Sequence, residues 1–229
     1  MGKKRKRKKR SIAIDVKAIY QRGMQLYLEE ENYVAGLKYL LRAAKAGYKK
    51  TYGEIGIILH REQNEADEAE KWFKKAEKTD SLFPSAAYEY GMLIYFKKGD
   101  IESCLNYLFQ SAKQGCELAY GDIGTILYLE KNEINEALKW FKKAEEADCL
   151  FAPAAYSYGL LLVVEKGEWS QSLKYLLKAA REGYEMAYGE LGSVLYLEKA
   201  EVDEAENGLR KRRKPVVCTH RMHMIMGCF

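Results

Sequence analysis

Proline is scarce in this chain, three residues in 229, and so is histidine, also three. Few prolines leave helices uninterrupted. Between residues 11 and 206 the one histidine is His60, so the commonest general base and metal ligand is nearly missing from the body. The carboxylates fall at helix-surface positions such as "NEADEAEKW" and "NEINEALKW", and no G-x-S-x-G or phosphate-binding glycine loop occurs. Neither an enzyme nor a cofactor is expected. The five cysteines, at 104, 116, 149, 218 and 228, are odd in number and contain no C-x-x-C pair. That pattern excludes a disulfide framework and points to a reducing compartment, the cytoplasm. No run approaches the roughly 20 apolar residues that cross a bilayer. The first residues lack the apolar segment of a secretory signal, and Lys6 stands where a myristoylation signal has Ser or Thr.

Charge is present but unevenly placed. Residues 3–10, "KKRKRKKR", carry eight positive charges, and residues 207–229 carry six with no acid. The body from 11 to 206 holds 24 basic against 33 acidic side chains, a net −9. The overall +5 therefore describes the ends and not the body. Residues 1–16 read as a basic, disordered leader, and any nucleic-acid contact is expected only through residues 3–10. A nucleic-acid groove would itself be basic, which the body is not.

An internal repeat organises the body. "TYGEIGIILHRE", "AYGDIGTILYLE" and "AYGELGSVLYLE" start at Thr51, Ala119 and Ala187, a period of 68. Anchoring on glycine resolves each period into two, through Gly23, Gly56, Gly91, Gly124, Gly159 and Gly192, at alternating spacings of 33 and 35. Thirteen residues after each of the first five anchors stands a small residue, then a bulky one four later and a small one three later. These sets are Gly36/Leu40/Ala43, Ala69/Phe73/Ala76, Cys104/Leu108/Ser111, Ala137/Phe141/Ala144 and Ser172/Leu176/Ala179. Such offsets place each set on one helical face, where small side chains admit a neighbouring helix. Turn residues separate the helices, and linkers containing Pro84 and Pro153 account for the longer spacing. The expected fold is all-α, an α-solenoid: a right-handed superhelix of about six helix-turn-helix repeats spanning residues 17–206.

The stretch "KAAREGYEMAYGELG" from Lys178 resembles the K-A-A-x-x-G-x-x-x-A signature, with its following L-G, of Sel-one-like repeats, a branch of the tetratricopeptide-repeat superfamily. "SAKQGCELAYGDIG" and "RAAKAGYKKTYGEIG" resemble it as well. The resemblance implies a scaffold or adaptor that binds a peptide or protein segment in a concave groove. It also implies which positions face that groove: three before, one after and four after each anchor. They read Tyr20/Met24/Tyr27, Gly53/Ile57/His60, Tyr88/Met92/Tyr95, Gly121/Thr125/Tyr128, Tyr156/Leu160/Val163 and Gly189/Ser193/Tyr196. The candidate partner-binding residues are Tyr20, Met24, Tyr27, His60, Tyr88, Met92, Tyr95, Tyr128, Tyr156 and Tyr196. The alternative is that the tyrosines seal one hairpin against the next. On the groove reading, replacing Tyr95 and Tyr128 weakens binding and barely touches stability.

The tail poses a separate question. Cys218, His220, His223 and Cys228 are soft metal ligands by type, but C-x-H-x-x-H-x-x-x-x-C lacks the paired spacing of structural zinc motifs. Reverse translation supplies another origin. With one extra base before Asn207, permitted codons read KWFKKAEEAGCLYPPDAYDYGMF, the next repeat in register with residues 139–161. Residues 207–229 are thus expected to be an out-of-frame remnant with no metal site. A sixth second helix is expected to start at about Glu201 and lose its pattern after Glu206, leaving an uncapped end that promotes self-association.

Overall fold

The computed structural model describes residues 15–206. Residues 1–14 of the basic leader and the tail with Cys218, His220, His223 and Cys228 lie outside the described residues, whereas Asp15 and Val16, expected in the leader, are the N-cap and first residue of a helix.

Reversals of the chain are set by single residues in the left-handed region. Five of them, Glu31, Asn64, Gly99, Asn132 and Gly167, have φ between 49° and 67°. Five others, Gly47, Asp80, Gly115, Asp148 and Gly183, alternate with them. Glycine lacks the Cβ that penalises this region, and Asn and Asp tolerate it through local hydrogen bonds. Helices fill the intervals: α1 (Val16–Leu28), α2 (Tyr33–Lys45), α3 (Thr51–Arg61), α4 (Ala66–Lys78), α5 (Pro84–Lys98), α6 (Ile101–Lys113), α7 (Ala119–Leu129), α8 (Ile134–Glu146), α9 (Ala152–Leu161), α10 (Trp169–Arg181) and α11 (Met186–Glu206). A π-helical turn, Leu162–Lys166, continues α9. Side chains of Asp15, Asn32 and Asp100 accept from the backbone N–H three residues on, capping α1, α2 and α6.

The described residues form two compact units, one up to Leu93 and one from Ile94. In the first, α1 packs on α2, α2 on α3 and α3 on α4. In the second, α7 packs on α6, α8 and α9, α9 also meets α8 and α10, and α10 carries α11. The fold is therefore all-α, a sequence of helix-turn-helix repeats of the α-solenoid class.

In the pairs α1–α2, α3–α4, α7–α8 and α9–α10 a bulky side chain is pressed against a glycine. Leu40, Phe73, Phe141 and Leu176 are fully buried, as are the small residues of the same faces, among them Ala43, Ala69, Ala137 and Ser172. A Cβ on Gly56 would lie 2.6 Å from the Phe73 ring, one on Gly124 2.8 Å from Phe141, and one on Gly159 2.9 Å from Leu176. Ser172 adds a hydrogen bond to the carbonyl of Gly159, at 2.8 Å. Burying each large side chain contributes about 1.5–3 kcal/mol. The glycines permit that burial by letting the two helix backbones approach.

The sixth repeat departs from expectation. No second helix begins near Glu201; α11 runs unbroken through Glu206. The position 68 residues after Asn132 is Ala200, the strongest helix former, and it stands where earlier repeats place a left-handed residue. Among the described residues there are thus eleven α-helices, of which α11 has no following helix.

Gly124→Ala is expected to destabilise the fold by about 1–3 kcal/mol through overpacking against Phe141, despite alanine's better helix propensity. Urea denaturation midpoints of the two chains check this.

Candidate functional site

The stripe expected to face a partner lies on the first helix of each pair, and its environment differs between the two units. In the first unit, Tyr20, Met24 and Tyr27 on α1, Ile57 and His60 on α3, and Tyr88 and Met92 on α5 are all half-buried. The residues three after each anchor, Leu26 and Leu59, are buried and carry the hairpin packing. A side chain that keeps part of its surface beside fully buried neighbours forms the wall of a face and not its core.

Polar tips on this stripe bind carboxylates one repeat further on. The Tyr20 hydroxyl donates to Glu54 Oε1 at 3.0 Å, while the Tyr20 ring meets the Tyr48 ring at 5.0 Å. His60 Nδ1 lies 3.0 Å from Glu89 Oε2, and Arg61 Nε donates to Glu89 Oε1 at 2.7 Å. Both acids stand two residues before an anchor glycine and both are buried, Glu54 at 6% exposure and Glu89 at 5%. Their electrostatics differ. Burial pushes the Glu54 carboxyl up, because Tyr20 satisfies only one oxygen and Oε2 has no partner among the described residues. Burial acts on Glu89 too, but the hydrogen bonds from His60 and Arg61 outweigh it and hold that carboxyl below its usual range.

In the second unit the stripe closes over. The Tyr95 hydroxyl donates to Glu130 Oε1 at 2.9 Å and its ring stays half-exposed beside Phe96. Tyr128 is 6% exposed and Tyr156 only 1%, with the Tyr156 ring against Tyr184 at 5.1 Å. Leu160 and Val163 are also buried. Tyr128 and Tyr156 thus belong to the core, and the expectation that Tyr128 could be replaced with little loss of stability is corrected. Tyr196 is 75% exposed on α11, beside exposed Gly189 and Ser193.

Reading the tyrosine positions alone overlooked the carboxylates. The signal was present as the acid of "YGEIG", "YEYG", "YGDIG" and "YGELG", which places Glu54, Glu89, Asp122 and Glu190 at the same offset from four anchors. A second feature, also unforeseen, lies on the second helices, where lysines sit over aromatic rings: Lys75 over Tyr52 at 4.4 Å and Lys143 over Trp140 at 4.1 Å. Between α8 and α10 a cavity of about 470 Å³ is lined by Glu145, Asp148, Leu150, Lys174, Tyr175, Lys178, Arg181 and Glu182. Its charges compensate internally, since Lys174 and Tyr175 both donate to Glu145, at 2.5 and 2.8 Å. No group of three or more His, Cys, Asp or Glu among the described residues is placed to hold a metal.

The sequence matches no protein-family model and no curated protein. Solved structures are similar in fold. A Sel1 repeat protein from Oxalobacter formigenes superposes with a TM-score of 0.58 at 23% identity, over 79% of this chain and 78% of that one. PilF from Pseudomonas aeruginosa gives 0.65 at 19%, over 85% and 89%. The protective antigen c5321 of uropathogenic Escherichia coli, described as displaying an SLR fold, gives 0.60 at 20%, over 80% of this chain and 42% of that one. The fold is therefore that of Sel1-like and tetratricopeptide-like repeat proteins. No helix among the described residues is long and apolar enough to cross a membrane.

The two buried acids predict opposite pH responses. Glu54 has a raised folded pKa, so its favourable contribution is full below 4.5 and is lost as pH rises through the folded value. Glu54→Gln should accordingly gain in melting temperature relative to the parent between pH 4.5 and 7. Glu89 has a lowered folded pKa, so its contribution holds above 4.5 and fades as pH falls through the folded value. The deficit of Glu89→Gln should shrink below pH 4.5. Thermal melts across pH 3–7 test both signs.

Proposed function

We propose that the chain is a non-catalytic adaptor, acting in the cytoplasm, that binds a peptide or protein segment along the first-helix face of residues 15–93. The observation that carries the reading is the half-buried stripe Tyr20, Met24, Tyr27, Ile57, Tyr88 and Met92, which remains partly open although adjacent apolar residues are sealed. Tyrosine offers a broad apolar ring, and methionine adapts to varied shapes, a combination suited to an extended or helical segment. His60 belongs to the same face, but its ring nitrogen is engaged by Glu89. The similarity of fold to repeat proteins supports a scaffold, and the free buried thiols of Cys104, Cys116 and Cys149 fit a reducing compartment. The acidic body, with Glu54 and Glu89 on this very face, speaks against a nucleic-acid ligand.

The experiment is capture of partners from the native source with the full chain, followed by affinity measurements on variants. Met24→Ala combined with Met92→Ala should weaken binding of the captured partner by roughly 1–3 kcal/mol. Tyr156→Ala should instead cost about 3–5 kcal/mol of stability by opening a core cavity. Deleting residues 1–10 should leave the partner bound. Unchanged affinity in the double methionine variant, or capture that depends on residues 1–10, would refute the reading.

A further inference from the structure

α11 repeats the glycines of the earlier first helices but not their contacts. Gly56, Gly124 and Gly159 each receive a bulky side chain from their own second helix, and Gly121 receives Ala154 from the following one, at 2.7 Å from an added Cβ. Gly53 is covered likewise by Phe83. The equivalent pair on α11 is Gly189 and Gly192, and among the described residues nothing lies within 4 Å of a Cβ built on either. The opposite side of α11 is satisfied. Ala187 and Val194 are buried, and the Tyr188 hydroxyl donates to the carbonyl of Ala180 at 3.0 Å. Leu195, whose counterparts Leu59, Leu127 and Leu162 are at most 5% exposed, is 53% exposed. Among the described residues, a surface for a second helix is therefore formed and uncovered.

The key for this lock is seen elsewhere in the molecule. The second helix α4 reads ADEAEKWFKKAEK, and its Phe73, seventeen residues after Gly56, fills the space above that glycine. Val202 to Glu206 reads VDEAE, and the shifted reading of the tail continues it as KWFKKAEE. The joined string VDEAEKWFKKAEE differs from α4 at its two ends only, and its phenylalanine falls seventeen residues after Gly192. We propose that the open face of α11 is a docking site for this one occupant, an amphipathic second helix of the α4 type, with its phenylalanine over Gly192. Formation of that helix requires the chain to reverse at Ala200. Glu31, which bears a Cβ, adopts φ 49° at the turn before α2, so a residue other than glycine can make such a reversal.

The test compares the full chain with one in which residues 207–229 are replaced by KWFKKAEEAGCLYPPDAYDYGMF. The exchanged chain should melt several degrees higher and sediment as a monomer. Amide exchange over residues 186–196 should slow at least tenfold. Two substitutions should change sign between the backgrounds. Gly192→Leu should be tolerated in the present chain and destabilise the exchanged one, where it meets the phenylalanine. Ala200→Gly should destabilise the present continuous helix and stabilise the exchanged chain, where a turn is needed. Equal effects in both backgrounds, or no gain in melting temperature, overturn the proposal. Should the exchanged chain fail to fold, the same helix is offered in trans as a fluorescein-labelled peptide, VDEAEKWFKKAEEAGCLYPPDAYDYGMF, to the full chain. Anisotropy that rises with the full chain and not with its Gly192→Leu variant supports docking; no rise up to about 1 mM overturns it.

Discussion

The seating of a bulky side chain on a glycine is the contact on which the other features depend. Phe73 over Gly56, Phe141 over Gly124 and Leu176 over Gly159 bring the two backbones of a hairpin close enough that no residue with a Cβ fits at the anchor. The energetic logic is cooperative. A glycine inside a helix costs roughly 0.5–1 kcal/mol relative to alanine, and only the second helix, by burying a phenylalanine or leucine there, offsets the cost. Hairpin closure in turn buries the aliphatic residue three after the anchor, such as Leu59 or Leu127, and so fixes which side of the first helix remains available.

α11 shows what the local sequence does once that contact is missing. Residues with a Cβ adopt the left-handed region at Glu31, Asn64 and Asn132 in chains of helices whose partners are docked. At the corresponding place Ala200 stays helical. The left-handed conformation costs roughly 1–2 kcal/mol for an L-residue, less than the burial of a phenylalanine but more than nothing. Among the described residues no side chain seats on Gly192, helix propensity decides, and α11 continues to Glu206. Reversals in this fold are therefore consequences of packing as much as of turn residues.

That balance separates what the sequence made legible from what it did not. Glycine spacing and the small–bulky–small sets are periodic, and periodicity survives without knowledge of the third dimension; the hairpins and their core residues followed from it. The continuous course of α11 did not, because it depends on the absence of a contact that no local pattern records. The candidate face was half legible. Tyr27 and Tyr95 remain partly exposed whereas Tyr128, at the same offset, is buried. Tyr128 lies in the second unit, where the rings of Tyr156 and Tyr184, residues 28 apart, also pack together, a contact that helical spacing cannot reveal. Glu54 and Glu89 were overlooked for a related reason: an acid in a helix reads as solvent-facing until a phenol or a guanidinium is found beside it.

Those carboxylates alter how the tyrosine stripe works. A tyrosine that only covered a hairpin would have no need of a partner for its hydroxyl, and one that only met a ligand would keep its rotamers free. Tyr20 and Tyr95 do neither: each hydroxyl is held by a carboxylate 34 or 35 residues on, while the ring keeps part of its surface open. Ordering a side chain on binding costs about 0.5–1.5 kcal/mol, and a ring already held from behind avoids most of that cost. The same bond makes the repeats interdependent, since withdrawal of Tyr20 would leave the buried Glu54 carboxyl without its one donor side chain, a loss of about 1–3 kcal/mol for an unsatisfied buried group. Packing between repeats and presentation of the face are thus two effects of one set of side chains, and the two roles considered for the tyrosines, seal and surface, are not exclusive at Tyr20 or Tyr95.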